Sequence, residues 1–228
     1  GHDQDRAPGG EACSLVESGK AEARLKVGVA AIKNMVETLQ GQLGNKLNAE
    51  FVIFSSDGYR NGVNKRDSAK VITKEQLDQL TAVGGTNLTA GVELGIDQFK
   101  SSSARQVLVV VADGDADGDR YPVQTATNFK NGGGIIYTVG FTFSNDTFNS
   151  LATDDKHALL ANSDTALGEA MEDISTDITA MIWDPMGDNF SVVEGSAAAS
   201  GITDGVLKVE QNNSLITWYP GSTELGQK

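Results

Sequence analysis

"VLVVVADGDADGDRYP", residues 107–122, sets five apolar residues in a row before aspartates at every second position, Asp113, Asp115, Asp117 and Asp119. The unbroken β-branched run reads as a central strand covered on both faces, because a strand with one wet face alternates apolar and polar residues. Such strands belong to parallel sheets. The acidic end raises a question of charge: a carboxylate there faces either water or a cation. Asp113, closest to the strand, is the residue on which the answer turns.

Helix and strand signals alternate outward from this strand. "AEARLKVGVAAIKNMVETLQGQLG" places Leu25, Val29, Ile32, Val36 and Leu39 at alternating steps of four and three. That is one apolar stripe on a helix of about five turns, closed by Gly41 or Gly44. "AEFVIFSS" (49–56) reads as a buried strand. "TKEQLDQL" opens with Thr73 and carries Gln76 three residues on, a capping-box start to a helix. "VGGTNLTAGVELGIDQF" is a Gly-Gly turn leading into a helix with Leu88, Val92, Leu94 and Phe99. Downstream, "PVQTATNFKNGG" predicts a helix with Pro122 in its first turn and Gly132 as its stop. "GIIYTVGF" is the next strand and "HALLA" a candidate for another. "DTALGEAMEDISTDITAMI" (164–182) is a long amphipathic helix with an acidic outer face.

This alternation over residues 20–182 predicts an α/β domain: a mostly parallel sheet, helices on both faces, right-handed crossovers. Ligands of such sheets gather beyond the carboxyl ends of the strands, where Asp113 falls. Residues 1–19 are polar and Gly/Pro-rich and read as a loop or frayed end. From Trp183 the chain changes character. "WDPMGDNFSVV", "GVLKVEQ" and "SLITWYPGS" are short alternating stretches broken by Gly, Pro and Asn, as in β-hairpins. Three short strands are a thin basis for a domain, so residues 183–228 are expected to be part of a β-sandwich completed from elsewhere.

The 228 residues carry 31 acidic and 18 basic side chains, a formal charge of −13, which argues against nucleic acid and anionic membranes as partners. No apolar run approaches the roughly 20 residues of a membrane span. Cys13 is the only cysteine, so no intrachain disulfide forms and no zinc cluster is expected. The N-terminus carries no secretion-signal pattern. His2 and His157 are isolated in sequence, Ser55 and Ser56 lack a Gly-x-Ser-x-Gly elbow, and no phosphate-binding glycine loop is present. No catalytic constellation presents itself, and an enzyme is not expected.

Taken together, "RLKVGVAAIKNMV", "AEFVIFSS", "GGTNLTAGVELG" and "VLVVVADGDADGD" resemble, in order and spacing, a von Willebrand factor type A domain over residues 20–182. The resemblance implies a Rossmann-like three-layer α/β fold. "IWDPMGDNFSVVEG" with "LITWYPGS" after it is similar to the segment that leaves the A domain in pilus-tip, sortase-anchored adhesins of Gram-positive bacteria. The family holds a divalent cation at a metal-ion-dependent adhesion site, with ligands from an Asp-x-Ser-x-Ser loop, a threonine and an aspartate. Carried over, the threonine is Thr86 and the aspartate Asp113, while Gly84 and Gly85 shape the loop. The Asp-x-Ser-x-Ser loop and its preceding strand have no counterpart in residues 1–19. The expectation is a chain whose first strand lies in another piece. Without it the cation, Mg2+ or alternatively Mn2+ or Ca2+, is bound weakly.

Each candidate has a plainer reading. Asp113 can cap the turn after its strand, and Thr86 can N-cap the helix at 88–100. Asp115 and Asp117 are read as a secondary metal position or a solvated acidic loop. With Asp113 and Gly118 they spell the opening of an EF-hand loop, but its twelfth position is Gln124, which supplies no carboxylate. The function implied by the resemblance is adhesion at a bacterial cell surface or pilus, with a host or matrix protein as partner and pilin subunits as a further candidate. The alternative is a calcium-stabilised structural or assembly module. Lys208 and the tail asparagines are the residues present for an isopeptide cross-link.

Overall fold

The computed structural model describes residues 9–55, 68–82, 84–100, 104–180, 182–185, 205–210 and 215–220. Residues 1–8, Ser56 and the part of "WDPMGDNFSVV" beyond Pro185 lie outside these. The order of elements is helix α1 (Gly9–Leu43), strands β1 (Phe51–Phe54) and β2 (Ala69–Ile72), helix α2 (Leu88–Asp97), β3 (Val107–Ala112), α3 (Val123–Asn131), β4 (Ile135–Phe141), α4 (Asp146–Ser150), β5 (Ala158–Ala161) and α5 (Asp164–Ala180). Three more strands complete it: β6 (Ile182–Pro185), β7 (Gly205–Glu210) and β8 (Leu215–Pro220). The chain forms two units, Gly1–Val36 with Asn48–Met171 and Glu37–Leu47 with Glu172–Lys228.

In the first unit β3, β4 and β5 form a parallel sheet in that order, while β1 and β2 pair antiparallel as a separate ribbon. Successive residues of a strand face opposite ways, and β1 uses both faces. Phe51 and Ile53 pack with Val29 of α1, Ile72 and Leu77. Phe54 instead joins Leu88 and Val92 of α2, Val110 of β3, Phe129 of α3 and Phe148 of α4. Helix α2 packs against β1, β2 and β3 alike. Helices thus cover both faces, as periodicity predicts.

Three features differ from that reading. Helix α1 begins at Gly9, inside the stretch read as a loop. Strand β2, with only Ala69 and Ile72 buried, is too short to announce itself by pattern. The fully buried strand is β4, all seven residues of it, whereas β3 buries only Val110 and Ala112. The reason lies in pairing: β4 has β3 and β5 on its two sides, and β3 pairs with β4 alone among the described residues. The "TKEQLDQL" capping box is built as expected, Thr73 N–H donating to Gln76 Oε1 at 3.0 Å, but it opens the 3-10 turn Glu75–Gln79.

In the second unit β8 lies between β6 and β7, antiparallel to both, with Asp184 opposite Ile216 and Lys208 opposite Thr217. The ends of α1 and α5 belong to this unit, where the hydroxyl of Thr179 hydrogen-bonds Gln42.

Candidate functional site

The carboxyl ends of β1, β3 and β4 meet at one edge. Just after β1, the Ser55 carbonyl accepts Asn87 N–H at 2.7 Å, and beyond β3 Asp117 N–H donates to the Thr86 carbonyl at 2.9 Å. Beyond β4, Asn145 Nδ2 donates to Asp115 Oδ1 at 2.9 Å. Residues 84–87, 113–121 and 142–145 are therefore one cluster of loops, placed where open α/β sheets bind ligands.

Thr86 is held by its backbone and not by its hydroxyl. Its N–H donates to Asp117 Oδ1 at 2.9 Å. The N-cap of α2 is Asn87, whose Oδ1 accepts Ala90 N–H at 3.1 Å. The capping role considered for Thr86 is taken by its neighbour, and the Thr86 hydroxyl makes no hydrogen bond among the described residues. Gly84 sits at φ 74°, the left-handed conformation that glycine adopts without a steric penalty. Gly85 answers a different need: a Cβ there would lie 2.8 Å from Asp117 Oδ2. The close approach at this glycine is to a carboxylate of the chain itself.

The aspartate ladder divides among separate partners. Asp113 Oδ2 accepts Arg24 Nε of α1 at 2.8 Å, across 89 residues of sequence. Asp115 Oδ1 accepts the Tyr121 hydroxyl at 2.9 Å as well as Asn145. Burial pushes the Tyr121 phenol pKa up, opposed by the Ala116 N–H and reinforced by the hydrogen bond to Asp115. Asp117 is the loop clamp described above, and Asp119 is exposed at φ 53°. The four carboxylates do not converge, and no group of three or more His, Cys, Asp or Glu is arranged for a metal among the described residues. Thr86 and Asp113 offer one hydroxyl and one carboxylate where a hard cation takes about six oxygens, so they do not satisfy one by themselves.

Sequence reasoning missed Arg24, Tyr121, Asn145 and Ser68. Ser68 sits at this same edge, its carbonyl accepting Ser55 N–H at 2.9 Å, and its own hydroxyl is buried without a partner among the described residues. No local pattern marks Arg24 or Asn145, because each acts through a partner distant in sequence, and Tyr121 reaches Asp115 only because the loop between them folds back. At the opposite edge of the sheet His157 has a nearby partner that its lack of metal or acid–base spacing did not announce: its Nδ1 lies 2.6 Å from Asp154 Oδ1, with its ring against Tyr137.

The chain matches the von Willebrand factor type A domain over residues 21–174. That is more than half of its length, and the chain belongs to this family. No curated protein matches it. Among solved structures it is similar to the pilus adhesin SpaC from Lactobacillus rhamnosus GG, with a TM-score of 0.59 at 14% identity over 87% of this chain and 35% of that one. The open conformation of SpaC gives 0.59 at 15% identity over 90% and 36%. Proximal thread matrix protein 1 from the mussel byssus, with zinc in its MIDAS motif, gives 0.53 at 16% identity over 74% and 47%. The chain thus spans about a third to a half of these proteins. At such identities the likeness is one of fold. No helix among the described residues is long and apolar enough to cross a membrane.

Proposed function

We propose that this chain is a non-enzymatic adhesion module of an extracellular protein, at a bacterial surface or pilus, and that its loop edge binds a host or matrix protein. A pilin subunit is the second candidate partner. The observation that carries the reading is Thr86, whose backbone N–H is held by Asp117 on the loop that carries Asp113 and whose hydroxyl makes no hydrogen bond among the described residues. These are two ligands of the family's adhesion site. The missing oxygens would come from an Asp-x-Ser-x-Ser loop outside residues 1–228, with Mg2+, Mn2+ or Ca2+ as the ion.

The sheet supports this completion. Strands β1 and β3 do not pair with each other, their carboxyl ends share one edge, and α2 packs against both. An apolar strand between them would end beside Thr86, Asp113 and the orphaned Ser68 hydroxyl. The pilus adhesin SpaC and the zinc-holding byssus protein share the fold, which favours surface binding over an intracellular role.

The test is solid-phase binding of the chain, alone and joined to a strand carrying an Asp-x-Ser-x-Ser loop, to immobilised matrix proteins with Mg2+ or EDTA. Binding lost in EDTA and in Asp113→Ala supports adhesion through the cation. Binding that survives EDTA while the melting temperature falls supports the alternative, a calcium-stabilised structural module. The loop hydrogen bonds of Asp115 and Asp117 favour that second reading.

A further inference from the structure

Strand β5 lies at an edge of the parallel sheet, since among the described residues it pairs with β4 alone. Ala161 turns toward β4, its carbonyl accepting Thr142 N–H at 2.8 Å. Successive residues of a strand direct their N–H and C=O groups to opposite sides, so Leu160 directs its own away from β4, along the outer edge. Its side chain is no better covered. Leu160 lies beside Gly140 in the register, and a glycine offers it no cross-strand side chain. At 51% it is the most exposed of the large apolar residues described. Sheet edges are ordinarily protected by a charged residue or a proline, and β5, which reads Ala-Leu-Leu-Ala, has neither. The charges beyond its ends are opposite in sign. Lys156 stands four residues before Leu160 and Asp164 four after, and both are exposed. Neither side chain has an ion-pair partner among the described residues.

We infer that β5 pairs with β5 of a second copy of this chain, antiparallel about a two-fold axis through Leu160. The register follows from the backbone. Leu160 of each copy exchanges N–H and C=O with its counterpart, which sets the two leucine side chains next to each other on one face. Residues equally far before and after Leu160 then come opposite each other. Lys156 of one copy falls at the end of the strand where the other has Asp164, and symmetry makes this happen twice. Four residues from each copy are a small contact, short of the roughly 1,200 Å2 of a stable complex, so the pairing is weak and concentration-dependent. The charge of −13 on each copy opposes it at long range. Salt of about 0.1 M screens that repulsion beyond about 10 Å and leaves the contact itself in place. The pairing does not rest on the cation reading, since no metal and no loop of the carboxyl edge takes part.

The experiment is sedimentation equilibrium of the chain in EDTA, at concentrations up to about 1 mM, with thermal melts to confirm that each variant is folded. The wild-type chain should show a monomer–dimer equilibrium, and its Leu160 amide should exchange hydrogen more slowly in concentrated than in dilute solution. Leu160→Lys should weaken the dimer at least about tenfold. Lys156→Asp and Asp164→Lys each turn two attractive pairs into two repulsive ones and should weaken it by about five- to tenfold. An equimolar mixture of these two variants should recover the wild-type dimer, because opposite charges meet again at both ends of the paired strands. A chain that stays monomeric over this range overturns the pairing. Association that Leu160→Lys leaves unchanged runs through another edge, that of β1 or β3, and overturns it as well. A dimer lost in Leu160→Lys but indifferent to the charge variants, or not recovered in their mixture, overturns the antiparallel register.

Discussion

Asp117 receives the Thr86 N–H on its carboxylate and returns its own N–H to the Thr86 carbonyl, so one residue joins two loops at two points. Asp117→Ala removes a charge-assisted, part-buried hydrogen bond and should lower the unfolding free energy by about 1.5 kcal/mol in urea titrations. Gly85→Ala pushes a methyl into the same carboxylate, and the double variant should fall short of the sum because both act through one contact. Thr138 presents the opposite case. It is wholly buried in β4, and its hydroxyl has no partner among the described residues. Thr138→Val keeps the branched shape without the unpaired hydroxyl and should raise stability by about 1 kcal/mol by the same measurement. Asp154 sets a pH dependence. Burial pushes its carboxyl pKa up, but the His157 ring and the Lys156 N–H outweigh this and hold it below the ordinary range. A lowered folded-state pKa gives stability that is present above the unfolded value and lost as pH falls through the folded one. The gap in melting temperature between wild type and Asp154→Asn should therefore close below about pH 4.

Helix α2 is the element on which the site's geometry depends. Its start is fixed by Asn87, and Asn87→Ala should lower stability by about 1 kcal/mol through loss of the cap. Its seat is fixed by Gly91, where a Cβ would lie 2.7 Å from Phe54 Cγ and 3.0 Å from Phe54 Cβ of β1. Gly91→Ala should cost about 1–3 kcal/mol as the helix lifts from the strand. At Gly140 in β4 the obstacle is the Phe143 carbonyl oxygen, part of the backbone and unable to swing aside. Gly140→Ala should be the more damaging of the two, and thermal melts of the pair would reverse that order if β4 and its loop can part freely.

At the scale of the whole molecule, the sheet of the first unit is interrupted. Strand β4 is buried throughout and bonded on both sides, while among the described residues β1 and β3 each have an edge that pairs with no strand. Hydrogen exchange should therefore be slowest in β4 and fast at the amides of β1 and β3 that point away from β2 and β4. Uniform protection across β3 would mean that its open edge is occupied, as the proposed completing strand would do. The same observation bears on solubility, because unpaired edges of apolar strands are templates for association.

Local pattern carried much of this molecule. The 3.6-residue stripe of α1, the Pro122 and Gly132 boundaries of α3 and the apolar run of β4 are properties of adjacent residues, and adjacent residues are what a sequence displays. Asp113 was legible for the same reason, at the end of an apolar run, whereas Thr86 was singled out by the resemblance of its Gly-Gly-Thr turn to the family's loop. Strand β2 was not, since four residues with two apolar positions carry no period. Nor was the loss of central rank by β3, because a run of valines says that a strand can be buried and not what lies beside it. By itself the sequence determined most of the elements and their order through periodicity and turn chemistry, while the two candidate ligands came from the resemblance of its motifs to the family. Only the tertiary structure decided what each aspartate faces: Arg24 for Asp113, Tyr121 and Asn145 for Asp115, Thr86 for Asp117. Coulombic and hydrogen-bond partners are chosen by distance through space, and a separation of 89 positions in sequence between Arg24 and Asp113 holds no record of a 2.8 Å contact.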